Sequence, residues 1–166
     1  PFVYVCAALR GGLLSETEQN NGITQLMSDL LTRGTAKRNA PEIARAIENL
    51  GGSLSPFCGR NSFGLQFSCL AQDADAFMDL FSDCLLNPSF PTNELEKQRT
   101  IQLAAIQEQR EQPFFIADES LRHTLFPHHP YQWDNLGVPA SVEKISRGDI
   151  TNHLASHLTR SNIVLS

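Results

Sequence analysis

A strict alternation of apolar and polar side chains over residues 62–69 constrains the fold more than any other feature of the sequence. A period of two sends successive side chains to opposite faces of a strand, so this segment predicts a strand with one buried face. Residues 53–58 precede it and predict the other arm of a β-hairpin. The apolar positions of the alternation are Phe63, Leu65, Phe67 and Cys69.

Helical patterns flank this hairpin on both sides. Before it, apolar side chains recur at helical spacing over 22–33, and a second helix follows Asn39. After it, the pattern predicts four helices. They begin at Asp73, at a capping box Asn93-x-x-Glu96, at Pro113 and at a capping box Ser146-x-x-Asp149. Apolar strands at 2–9 and 161–166 complete the order β-α-α-β-β-α-α-α-α-β. This order predicts an α+β fold, with a largely antiparallel sheet covered by helices on one face.

Length, charge and cysteine spacing exclude several classes of protein. The 166 residues suit one domain, and 13 basic against 18 acidic side chains give a net charge of −5. No basic cluster exceeds Lys37-Arg38, which argues against a nucleic-acid partner. No apolar run approaches the roughly 20 residues of a membrane span. The four cysteines form no C-x-x-C pair, which excludes a zinc ribbon and predicts buried thiols.

Both ends of the sequence lie within strand-like apolar runs. This pattern predicts that 1–166 is a single domain excised from a longer protein and truncated at its last strand. The free thiols and the lack of a signal peptide favour a cytoplasmic location.

The second helix ends in Ile47-Glu48 followed by Gly51-Gly52. This ending resembles the I-E-x-x-G-G of the pitrilysin/insulinase family of zinc peptidases, which includes the mitochondrial processing peptidase. Further motifs occur in the order in which that family carries them. The resemblance extends over nearly the whole chain and implies a mitochondrial-processing-peptidase-like fold. The segments that carry it are 1–16, 22–52, 85–113, 125–137 and 141–166.

The resemblance fails at the family's zinc motif. Family members carry His-x-x-Glu-His, whose histidines bind zinc and whose glutamate is the general base; a third ligand, glutamate, follows roughly seventy-five residues later. The resemblance places Gln25, Ser28 and Asp29 at the three motif positions and Ala105 at the third ligand. Only one carboxylate remains, and it is not at the position of the base. The resemblance therefore implies no catalytic residue and no metal ligand in this segment.

The family's architecture implies a role for such a segment. Larger members consist of homologous halves that enclose the substrate in a chamber, and one half carries the zinc. The resemblance implies a non-catalytic domain of a zinc metalloendopeptidase, with Gln25, Ser28, Asp29 and Ala105 facing a chamber that holds an unfolded peptide. Its partners would be homologous domains of the same polypeptide or a catalytic subunit, and zinc is expected only there.

Alternative functions stay open at this point. The chain is alternatively a structural or interaction subunit derived from such a peptidase, without a proteolytic role. A metal site rebuilt from Asp29 and Glu108 is a further alternative, as is an active hydrolase with relocated ligands at His153 and His157. A surface exposed by excision also leaves association into a homodimer open.

Two groups of histidines have structural interpretations. His153 and His157 are four residues apart, a spacing that two zinc ligands use, yet no carboxylate lies between them. We therefore predict half-buried histidines on the surface of the last helix. The segment with His128 and His129 predicts a structural loop that packs an aromatic side chain against the helices.

Overall fold

The computed structural model describes every residue from Pro1 to Ser166. Four strands form one antiparallel sheet in the order β2-β3-β1-β4. Strand β1 pairs with β3 over its whole length, from Phe2 opposite Leu70 to Arg10 opposite Ser62. The strands are β1 (Phe2–Arg10), β2 (Ser53–Cys58), β3 (Ser62–Leu70) and β4 (Ile163–Leu165).

Seven helices accompany the sheet, so the predicted α+β class is confirmed. The observed order differs from the predicted one by a single short helix, α6. No helix combines the length and the apolar character that crossing a bilayer requires. The helices are α1 (Ile23–Leu30), α2 (Ala40–Asn49), α3 (Ala74–Leu86), α4 (Thr92–Arg110), α5 (Pro113–Leu125), α6 (Pro139–Val142) and α7 (Arg147–His157).

The core lies between the helices and one face of the sheet. The alternating apolar residues of β3 are at most 1% exposed, as their period predicts. Phe67 stacks on Phe77 of α3 with ring centroids 5.4 Å apart and meets Phe81 edge-on. On the other face of β3, a Cβ at Gly64 would lie 1.9 Å from the Ala7 carbonyl oxygen and 2.9 Å from the ring of Phe57. Only glycine therefore fits there.

Two local predictions are wrong. Helix α4 begins at Thr92 after Pro91, and the side chain of Asn93 bonds to the neighbouring Glu94 rather than capping the helix. The fixed φ of proline starts the helix one residue before the proposed cap. The thiols of Cys6 and Cys58 are only partly buried, in contrast to those of Cys69 and Cys84. The capping box at Ser146 and Asp149 is confirmed.

Candidate functional site

A buried carboxylate fixes the beginning of α1, the helix that carries three of the four candidate positions. Glu16 is 4% exposed, and its oxygens accept hydrogen bonds from Asn21 Nδ2, the Gly22 amide and the Thr24 amide at 2.8, 2.8 and 3.0 Å. Burial raises the pKa of this carboxyl, and these hydrogen bonds oppose the rise. The negative group thus satisfies amides that the first turn of a helix leaves unpaired, at the positive end of the helix dipole.

Helices α4 and α6 hold the same helix start from the other side. Gln102 of α4 donates from Nε2 to the Gly22 and Leu136 carbonyl oxygens, at 3.0 and 2.7 Å. Ser141 donates from Oγ to the Asn21 carbonyl oxygen at 2.6 Å. The relative position of α1 and α4 is therefore fixed by buried hydrogen bonds as well as by apolar packing.

One turn further along α1, Gln25 and Asp29 form a side-chain pair. Gln25 donates from Nε2 to Asp29 Oδ2 at 2.9 Å, across the i,i+4 spacing of the helix. Both side chains are half-buried. Burial raises the pKa of Asp29, while the hydrogen bond from Gln25 and the charge of Arg33 oppose the rise.

Ser28, between these two residues on α1, is more deeply buried than either. It is 1% exposed, and its hydroxyl has no hydrogen-bond partner. It lies beside the thiol of Cys58 on β2, whose pKa is raised to about 12 by burial and by the charges of Glu16 and Asp29, with Ser28 partly opposing the rise. Neither the hydroxyl nor this thiol is suited to take a proton from water at neutral pH.

The four candidate positions do not fit a zinc ion. Ala105, half-buried on α4, contributes a methyl group, and Gln25 already donates its amide to Asp29. A catalytic zinc site needs three nitrogen, sulfur or oxygen ligands in a tetrahedral array, and this set offers one carboxylate. Nowhere in the chain do three or more His, Cys, Asp or Glu side chains come together as a metal site would require, so Asp29 and Glu108 are not joined by a third ligand.

The histidines of α7 have structural partners. His153 is 9% exposed, and its Nε2 lies 3.0 Å from Thr24 Oγ1 of α1. Burial and the neighbouring His157 lower the pKa of His153 to about 4. His157 is half-buried as predicted, and its Nδ1 lies 2.8 Å from the His153 carbonyl oxygen. The prediction of a half-buried surface residue is wrong for His153, because this side chain faces α1.

The loop after α5 also has a structural role. Tyr131 meets Phe126 edge-on with ring centroids 5.6 Å apart, and its hydroxyl donates to Asn61 Oδ1 at the turn between β2 and β3. His129 accepts from the Tyr131 amide through Nδ1 at 3.2 Å. These contacts tie the loop to the sheet.

Sequence patterns miss the residues that organise this region, Glu16 and Gln102. Glu16 lies in a polar loop six residues before the Gly22 amide that it binds. One sequence signal would have indicated Glu16: the helix has no Ser, Thr, Asp or Asn at its cap position, and a carboxylate precedes it in the loop. Nothing local marks Gln102, because its partner Gly22 is 80 residues away.

Known proteins share both the sequence pattern and the fold. The sequence profile of the insulinase family, peptidase family M16, matches residues 1–137. The β subunit of the mitochondrial-processing peptidase of Caenorhabditis elegans is 24% identical over 91% of the chain, which covers 33% of that protein. Subunit 1 of the bovine (Bos taurus) cytochrome b-c1 complex is 26% identical over 100% of the chain and 35% of its own length.

A solved structure extends the comparison to three dimensions. A protein from Pseudomonas fluorescens, described as a peptidase M16 inactive domain, superposes with a TM-score of 0.94 at 21% identity, over 99% of this chain and 40% of its own. The chain spans about a third of the length of the curated relatives that it matches. The match of the family profile over most of the sequence shows that the chain belongs to peptidase family M16, the insulinase family.

Proposed function

We propose that this chain forms a non-catalytic wall of a peptide-enclosing chamber, in an assembly whose zinc peptidase site lies in another M16 domain or subunit. One observation carries the proposal: the chain keeps the family fold, while a Gln25–Asp29 hydrogen bond occupies the helix face that the resemblance assigns to the zinc ligands. A fold kept without its metal chemistry suits a role in shape and binding.

The Gln25–Asp29 pair suits contact with a peptide backbone. The hydrogen bond between them uses one N–H of Gln25 and one oxygen of Asp29. Neither side chain makes a further hydrogen bond to the protein, and both reach the surface in part. Such groups bind backbone N–H and C=O regardless of sequence, as a chamber for unfolded peptides requires.

The neighbouring strand β2 adds an edge where an extended peptide can pair. It is an outer strand of the sheet, and it meets α1 where Cys58 lies beside Ser28. The Gly59 amide donates to the Ser62 carbonyl oxygen at 2.8 Å, so every second residue back from Gly59 turns its backbone groups to β3. The backbone groups of Leu54, Pro56 and Cys58 then point away from the sheet, and Pro56 has no N–H to donate. We therefore propose a weak strand-addition site.

Substitution of Pro56 tests this site by a gain of binding. Pro56→Ala restores one outward N–H, and a net hydrogen bond of about 0.5–1.5 kcal/mol corresponds to roughly two- to tenfold tighter binding. The measurement is fluorescence anisotropy of a labelled, unstructured peptide titrated with the chain. Pro139→Ala, at the start of α6 and outside the sheet, is the matched control and should leave the affinity unchanged. Equal affinities of the Pro56→Ala variant and the wild type would contradict strand addition at β2.

The second candidate function is a structural subunit without a role in proteolysis. It is favoured by the relative in the cytochrome b-c1 complex, which matches the chain over its whole length. The same titration separates the two functions. Absence of peptide binding by the folded wild-type chain and by Pro56→Ala, up to about millimolar protein, supports the structural subunit and contradicts the chamber wall.

A further inference from the structure

Helix α5 is attached to the rest of the domain through its polar side. Arg122 is its only buried residue, and its Nη1 donates to the Trp133 carbonyl oxygen and to Asp134 Oδ2, each at 3.2 Å. The Arg122 guanidinium also pairs with Asp118 at 3.1 Å and lies 5.6 Å from the ring centroid of Phe115. A surface helix normally packs its apolar side against the domain, whereas α5 turns its polar side to the domain.

Four apolar residues of α5 form a stripe on its flank, here called the α5 stripe, while Phe115 and Ile116 lie on other sides of the helix. Its members are Phe114, Ala117, Leu121 and Leu125, at positions i, i+3, i+7 and i+11. The three large side chains are 84%, 55% and 60% exposed. At 1.5 Å per residue the stripe is about 16 Å long. A contiguous exposed apolar stripe of this kind marks an interaction surface.

We infer that the α5 stripe packs against the same stripe of a second copy of this chain, with the two helices antiparallel. A two-fold axis near residue 119 sets Phe114 of one copy opposite Leu125 of the other. The same axis sets the small Ala117 opposite the large Leu121, which lets the helices approach closely at the centre. The stripe is therefore complementary to itself under the rotation that relates the subunits of a symmetric dimer.

The charges at the two ends of α5 favour the same arrangement. Glu111 is exposed just before α5, and His128 is exposed just beyond its far end. Under the same two-fold axis Glu111 of one copy lies opposite His128 of the other, and the two helix dipoles run in opposite directions, which is favourable. Parallel packing would instead place Glu111 of the two copies together.

The size of the surface predicts a weak dimer. Three large apolar side chains, each more than half exposed, offer roughly 300 Å² of apolar surface per copy. With its polar flanks the dimer buries on the order of 1,000 Å², at the low end for a specific interface. We expect a dissociation constant in the micromolar range.

Analytical ultracentrifugation over about 1 µM to 1 mM of the 166-residue chain tests the inference. Leu121→Asp and Phe114→Asp should each weaken association at least about tenfold, because each places a charge in the interface. Phe114→Asp also removes the largest apolar side chain of the stripe. Ile101→Asp is the matched control, since Ile101 is an equally exposed apolar side chain on α4, at 60%. It should dimerise as the wild type does, and circular dichroism checks that all variants are folded.

A mixing experiment tests the antiparallel geometry. Ala117→Lys and Leu121→Asp should each be monomeric alone, yet an equimolar mixture should form a heterodimer, because the lysine of one variant faces the aspartate of the other. A monomeric wild type at the highest concentration would overturn the inference. So would a dimer that Leu121→Asp and Phe114→Asp leave intact, or a mixture that stays monomeric.

Discussion

Two successive turns of α1 differ in how many polar contacts they make with the rest of the fold. The first turn is enclosed by polar partners from three other parts of the chain: Glu16 at its amides, Gln102 at the Gly22 carbonyl and His153 at the Thr24 hydroxyl. The next turn presents only the Gln25–Asp29 pair. The difference teaches that buried polar contacts with the rest of the chain fix the start of α1, whereas the Gln25–Asp29 pair, at positions that the resemblance assigns to the family's zinc chemistry, makes no hydrogen bond to another element.

The largest expected effect comes from restoring that chemistry. Gln25→His, Ser28→Glu, Asp29→His and Ala105→Glu together should create zinc affinity, because the retained frame aims these positions at one point. We expect the dissociation constant for zinc to fall from about millimolar or weaker to about micromolar or tighter. This is a gain in binding free energy of about 4 kcal/mol. Zinc binding is measured by competition with a chromogenic chelator.

The triple variant that keeps Ala105 is the control and should bind zinc more weakly, with one ligand fewer. Circular dichroism establishes that both variants are folded. A folded quadruple variant that takes up no zinc would show that the four residues do not share one site, and the assigned correspondence with the family motif would be wrong.

Removal of the Glu16 carboxylate should have the next largest effect. Glu16→Ala leaves three buried donors without their acceptor, and we expect the free energy of unfolding to fall by about 3 kcal/mol. Urea denaturation measures this change. Glu18→Ala, at an exposed glutamate two residues away, should change it by less than about 0.5 kcal/mol. Equal effects of the two substitutions would remove the distinction between the two turns.

Protonation of His153 should give a pH-dependent loss of similar or smaller size. Its pKa is lowered to about 4 in the folded chain, against 6.5 as the ordinary value, so the unfolded chain binds the proton more readily. The stabilisation is complete above pH 6.5 and is lost progressively as the pH falls from 6.5 to 4, by about 3 kcal/mol. His153→Gln should flatten this part of the stability profile, whereas His123→Gln, at an exposed histidine, should not. Identical profiles for all three proteins would contradict the buried contact with Thr24.

The smallest effect is expected at Asp29. Burial raises its pKa, so ionisation costs more in the folded chain than in the unfolded one. Asp29→Asn should therefore increase the free energy of unfolding at neutral pH, by less than about 1 kcal/mol, and the gain should vanish as the pH falls below the ordinary aspartate range. Thermal unfolding at both pH values measures it. A clear loss of stability at neutral pH would place Asp29 in the structural frame with Glu16.

The sequence predicts the frame of the fold better than the details of the site. The alternation over Phe63–Cys69 and the capping box at Ser146 act through near neighbours, so periodicity and spacing identify them. The role of Gln102 depends on partners that only the folded chain brings together, the Gly22 and Leu136 carbonyl oxygens. Burial of Ser28 against Cys58 likewise depends on how α1 meets β2, which no local pattern encodes.

The exposure of the α5 stripe was equally beyond local patterns. The spacing of its apolar residues is that of a helix packed into a core, yet Arg122 takes the inward position through Trp133 and Asp134 on a later loop. Which side of an amphipathic helix faces the domain depends on such distant partners as well as on periodicity.

Zinc content is the most direct measurement of the central claim, that this chain keeps the family frame without its metal site. Elemental analysis of the purified, undialysed chain should find far less than one zinc ion per chain, and added zinc should be removed by one pass over a desalting column. One zinc ion per chain that survives this step would contradict the account and would place a relocated site in the domain, first to be sought at His153 and His157.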